Sequence, residues 1–207
     1  MVTIFESSIQ DMSSSAIEDI QSKYPSAVVR VEIEDTLYKE DMNEAQFWAI
    51  INSFDWKTRN SDAILAPAIK ALSQFSQKDI HTFHDILNEK LYTLDARRFA
   101  EQLGSNRYTA DDGNYFSVDS FLYARCCVVA NGQSFYEKVL QNPTKMPKEY
   151  TFESLLYLPQ QAWQLKTSSD KYNYFPETWV ETFSNPDGWA GITPIKDRIL
   201  TYYETSR

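Results

Sequence analysis

Cysteine, histidine and glycine are scarce in this chain, at two, two and five residues of 207, and each scarcity removes a class of protein. The two cysteines, Cys126 and Cys127, are neighbours. Adjacent positions on a helix point about 100° apart, so no unstrained bridge joins them, and a disulfide-stapled scaffold is excluded. They read as small core hydrophobes in a reducing compartment. A thiol nucleophile would have only Arg125 at hand to lower its pKa. The histidines, His81 and His84, share one helix flank with Asp85. A metal would need two further ligands from elsewhere, so no metal and no cofactor are expected. Five glycines are too few for the turns of a β-sandwich or barrel. Also missing are a glycine-rich phosphate loop, a CxxC pair and a nucleophile with an adjacent base. No apolar run approaches the roughly 20 residues that span a bilayer. The opening stretch MVTIFESS has an acid and no basic region, so a cytoplasmic protein is expected.

Positive charge is short too: 20 Lys and Arg face 29 Asp and Glu, a net charge of -9. Residues 1–44 hold ten of the acids against Lys23, Arg30 and Lys39. Phosphates of nucleic acids and of anionic membranes would be repelled by such a stretch, whereas a basic protein partner would be attracted. Glu32, Glu34, Asp35, Glu40 and Asp41 are its candidate binding residues. The commoner role of such acids is a solvated, solubilising face.

What is present is apolar mass, 43% hydrophobic residues with 14% aromatic, enough for one good core and a small appended unit. The stretch Phe121–Ala130, FLYARCCVVA, carries a single charge and is apolar all round, as befits a helix inside the protein. Ser117 offers an N-cap, and Asn131-Gly132 ends the helix. Arg125 falls within the stripe Val118, Phe121, Leu122, Val129, where its donors need carboxylates or carbonyls. A carboxylate from the preceding loop or another helix is the expected partner, because Asp119 on the same helix is poorly placed.

Along the chain, Val2–Phe5, a helix ending at Tyr24-Pro25, and the alternating AVVRVEI of Ala27–Ile33 predict a small acidic strand-helix-strand unit over residues 1–41. Residues 42–167 turn to helical period. Capping boxes open helices at Asn43 and Ser76, Asp95 is read as the cap of a short helix, and Thr151 as the cap of a helix bent or divided at Pro159. Residues 168–207 form an aromatic arm, with Tyr172, Tyr174, Phe175, Trp179, Phe183 and Trp189 around the turn Asn185-Pro-Asp-Gly188; it is expected to pack on the bundle. The fold class is therefore mainly α with a small N-terminal α/β element, α+β overall: an irregular antiparallel helical bundle around a buried central helix. No heptad persists, so it is not a coiled coil.

Several short motifs resemble a bacterial family, the domain of unknown function numbered 4240, over roughly residues 43–166. They are Phe47-Trp48, Ser117-Val-Asp119-Ser-Phe121, Tyr123-Ala-Arg125, Gly132-Gln-Ser-Phe135-Tyr136-Glu137 and Asn142-Pro143. Where the family pattern has two adjacent acids, this chain has Val118 and Asp119, and Cys127 stands where the family often has Trp. The resemblance implies a helical bacterial domain and names no activity.

Two functional readings follow. The first is a non-catalytic, intracellular protein-binding module of the inhibitor or immunity type, engaging a basic protein. The second is a small hydrolase or anion-binding enzyme using Asp111, Asp112, Asp119, Arg125 and His84, since a guanidinium fork grips carboxylate or phosphate and the acids could move protons. Whether these groups meet in one water-accessible cleft separates the two.

Overall fold

The computed structural model describes residues 14–26, 41–109 and 116–190. The chain divides into two compact units, Met1–Leu37 and Tyr38–Arg207. In the first, the helix α1 (Ser14–Lys23) is described, closed by the Tyr24 amide donating to Ile20 O at 2.9 Å. The strands expected at Val2–Phe5 and Ala27–Ile33 lie outside the described residues, as do Glu32, Glu34, Asp35 and Glu40. Among the described residues the secondary structure is helical, with no strand, so the N-terminal α/β element is not supported. Alternation in a sequence prepares one face of a strand, but a ladder requires a second strand to pair with, and the pattern itself cannot supply one.

The second unit holds α2 (Glu44–Ile51), α3 (Ser61–Leu72), α4 (Gln77–Thr93), α5 (Arg97–Ala100), α6 (Val118–Ala130), α7 (Gln133–Gln141) and α8 (Leu158–Thr167). Short 3₁₀ turns occupy Pro143–Lys145 and Glu153–Tyr157. The starts obey local chemistry. Asn43 accepts from the Gln46 amide, Asn60 from Ala63 and Ser117 from Ser120, each satisfying an amide that the first turn leaves unpaired. Ser76 and Asp79 complete a reciprocal capping box. The Asp79 carboxylate also accepts from the Met42 amide at 2.9 Å, tying the entry of α2 to the start of α4.

α6 is the central helix. Phe121, Leu122, Ala124, Cys126, Val128, Val129 and Ala130 are buried, against α4, α7 and the Glu153–Tyr157 turn. α8 covers α3 and α4. The fully buried rings of Phe47, Phe83, Phe99 and Phe121 are each worth about 2–3 kcal/mol by transfer from water. Gly132, at φ 86°, ends α6 and begins α7, a backbone that a side chain would strain. No helix among the described residues is long and apolar enough to cross a membrane.

Two local expectations are corrected. Asp95 does not cap α5, whose N-cap is Ala96 with no side-chain bond, because the Asp95 carboxylate is taken by distant donors. Thr151 opens no helix either: the chain makes a 3₁₀ turn at Glu153–Tyr157, and α8 begins with Pro159 in its first turn, where a missing N–H costs nothing.

Candidate functional site

Beyond α8 the chain runs without regular structure from Ser168 to Trp189 as a strap over α4 and α6. Arg125 has no exposed surface. Its guanidinium donates to Leu91 O at 2.9 Å, Val180 O at 2.8 Å and Thr182 Oγ1 at 3.2 Å, and its Nε is unpartnered. Thr182 passes the link on by donating to Val118 O at 2.8 Å. The acceptors are thus carbonyls and a hydroxyl. Among the described residues no carboxylate is ion-paired with Arg125, contrary to the expected partner. Burial pulls the guanidinium pKa down, and the negative charge of Asp95 opposes that pull.

Asp95, also without exposed surface, accepts from the Phe183 amide at 3.2 Å, the Asn185 amide at 3.1 Å and Trp189 Nε1 at 2.8 Å. Its donors belong to the same strap that Arg125 holds by its acceptors. Trp189 then packs edge-on to Phe183 at 4.4 Å and to Tyr108 at 5.2 Å.

Further up the strap, His81 stacks on Tyr174 with centroids 4.0 Å apart and planes 4° from parallel, and on Trp163 at 5.3 Å. The Tyr174 hydroxyl donates to both Asp85 oxygens, at 2.8 and 2.7 Å. His84 Nδ1 lies 3.1 Å from the Tyr172 hydroxyl. Burial lowers the His84 pKa to about 4, against the opposing charge of Asp85, so the imidazole is neutral at pH 7. Burial also lowers His81. Tyr174 is raised to about 12, by burial first and then by Asp85. Among the described residues no three His, Cys, Asp or Glu side chains gather to hold a metal.

Of the candidate catalytic residues, Arg125 is inside the strap clasp, His84 pairs with Tyr172, and Asp119 is exposed in the first turn of α6. No hydrogen bond joins these three among the described residues, and Asp111 and Asp112 lie outside them. Asp41 is exposed. Burial raises Cys126 to about 12 and Cys127 upward as well, so both remain thiols at neutral pH. An open depression of about 420 Å³ is lined by Asn52, Asn131, Gly132, Gln133, Ser134 and Glu137, none of them a candidate residue.

Sequence reasoning missed Thr182 and Asn88, whose Nδ2 donates to Thr178 O at 2.8 Å, and gave Asp95 and Asp85 other roles, a helix cap and a neighbour of the histidines. The one available signal was the density of rings in the arm, which demanded polar anchors for the backbone between them.

No curated protein and no solved structure matches the chain. A family model described as a protein of unknown function, DUF4240, matches residues 42–165. That span holds Arg125, Asp95 and both histidines, while Val180, Thr182 and the tyrosines of the strap lie past it. The chain belongs to the DUF4240 family.

Proposed function

We propose that this chain is a non-catalytic, cytoplasmic protein-binding module of the inhibitor or immunity type, and that its partner is a basic protein surface. One observation carries the proposal. Arg125 and His84 face inward and are engaged by the fold, whereas the rings of Phe175 and Trp179 are held in water at 85% and 71% exposure. Large rings fixed at a surface are characteristic of interaction sites. The charge of -9 supports a basic partner. The acidic run Glu32, Glu34, Asp35, Glu40 and Asp41 supplies candidate carboxylates for long-range attraction.

The test is capture of partners from lysate of the source organism, by the full chain and by a version with those five carboxylates neutralised as amides. The neutralised version is expected to lose partners, and capture by the intact chain is expected to fall with added salt, because exposed charges are screened beyond about 10 Å at 0.1 M. Equal retrieval would remove the acidic run from the proposal. Retrieval by neither, together with turnover in a general hydrolase screen, would replace it by the enzyme reading through Asp111, Asp112, Asp119, Arg125 and His84.

A further inference from the structure

Between residues 171 and 181 the strap alternates in exposure. Tyr172, Tyr174, Pro176, Thr178 and Val180 are half-buried, whereas Phe175, Glu177, Trp179 and Glu181 are exposed. The inward set is tied down at four places: Tyr172 to His84, Tyr174 to Asp85, Thr178 O to Asn88 Nδ2 at 2.8 Å, and Val180 O to Arg125 at 2.8 Å. The outward set is therefore presented by a backbone that is already ordered, which lowers the entropy lost on binding.

Charge selects the occupant. From Ser168 to Trp189 the strap carries Asp170, Glu177, Glu181 and Asp187 against Lys171, all exposed. A second copy would bring these acids, and a net -9, against their like. The faces of Phe175 and Trp179 attract cations, and the stems of lysine and arginine lie well along rings while their heads reach carboxylates. We infer that the outward face of the strap, Phe175, Glu177, Trp179 and Glu181, docks a lysine- or arginine-bearing segment of a partner protein. The inference rests on the proposed binding function and names the surface and the chemistry that carry it.

The experiment titrates the full chain calorimetrically with a short synthetic peptide of arginine and threonine, and with its counterpart bearing glutamate for each arginine. Binding of the arginine peptide alone is expected. Trp179→Ala should weaken it about three- to fivefold, the range of an exposed cation–π contact. Glu177→Gln with Glu181→Gln should weaken it similarly and flatten its salt dependence. These side chains are exposed, so an unchanged melting temperature will show that each variant folds. Absence of binding by the arginine peptide, equal affinity in all variants, or a dimer in sedimentation that Trp179→Ala dissolves would each overturn the inference. If the arginine peptide fails but neutralising residues 32–41 still abolishes partner capture, the strap is wrong and the binding function stands. Turnover of a substrate with no partner captured would remove the binding function itself.

Discussion

Asp95 and Arg125 hold the same strap from opposite charges without forming an ion pair with each other: the carboxylate takes amide and indole N–H groups of Phe183, Asn185 and Trp189, and the guanidinium takes the carbonyl of Val180 and the hydroxyl of Thr182. The carboxylate is met by three N–H donors and the guanidinium by two carbonyls and a hydroxyl, its Nε left over, and the Asp95 charge opposes the pull of burial on Arg125. Arg125→Ala should therefore cost about 2–5 kcal/mol, since it leaves the carbonyls of Leu91 and Val180 without their guanidinium donors and removes the positive charge nearest Asp95. In thermal unfolding that is a drop of roughly 10 °C for a unit of this size. An unchanged midpoint would refute the clasp.

If both charges act through one docked segment, their removal is not additive. Asp95→Ala alone should release Trp189, now 2% exposed, and shift tryptophan emission to longer wavelength. Once either variant has freed the strap, the second has less to lose. The double variant should be less destabilised than the sum of the two by about 1–3 kcal/mol in a urea denaturation cycle. Strict additivity would mean that the two residues anchor independent structures.

His84 gives the pH dependence its sign. The fold keeps the imidazole neutral, with a pKa lowered to about 4 by burial, while the unfolded chain titrates at its ordinary value near 6.5. Above the unfolded value both states are neutral and the stability is complete. It declines as the pH falls from about 6.5 to 4, because the unfolded state binds the proton first, by about 3 kcal/mol over the window. Lowering of His81 acts in the same direction. His84→Gln can still meet the Tyr172 hydroxyl, so urea midpoints measured across this range should slope less in that variant than in the wild type. Parallel slopes would count against the buried imidazole.

Thiol reagents should find this chain slow. Cys126 is fully buried and raised to about 12, and Cys127, half-buried, is raised too. At neutral pH the native protein should show no fast-reacting thiol, and both should react at the ordinary rate in denaturant. Rapid native labelling of Cys126 would contradict its burial.

How much of this was legible in sequence depended on the distance over which each residue acts. The central helix was readable because its signals are local: an apolar run on every face and Ser117 three residues ahead of the amide it caps. The Ser76–Asp79 capping box was readable for the same reason. Arg125 announced its burial but not its partners, which are main-chain carbonyls of Leu91 and Val180 and so carry no residue identity to read. Asp95 was misread because an acid just before a helix is a good local cap, while its true donors lie 88 to 94 residues onward. A sequence pattern cannot rank a nearby amide against a distant one.

Two glycines separate close approach from mere crowding. A Cβ on Gly188 would run into Asp95 O and would meet the Cβ and Cα of Ala96 at 2.8 and 2.9 Å. The same turn donates from the Gly188 amide to Asn185 Oδ1 at 3.1 Å and accepts from the Arg97 amide at 2.9 Å, so the backbone on neither side has room to withdraw. On Gly104 the nearest atom is closer, Glu149 Oε1, but it ends an exposed side chain that can swing away at the loss of its surface bonds from Ser105 N and Oγ, leaving Lys148 O at 3.0 Å. Gly188→Ala should therefore be the more destabilising change despite the longer contact, by about 1–3 kcal/mol over Gly104→Ala, as expected of overpacking against rigid atoms. It should also loosen the Asp95 clasp and redden the Trp189 emission, which Gly104→Ala should leave alone. The reverse order of melting temperatures would show that the turn at Asn185–Gly188 is not pinned to the start of α5.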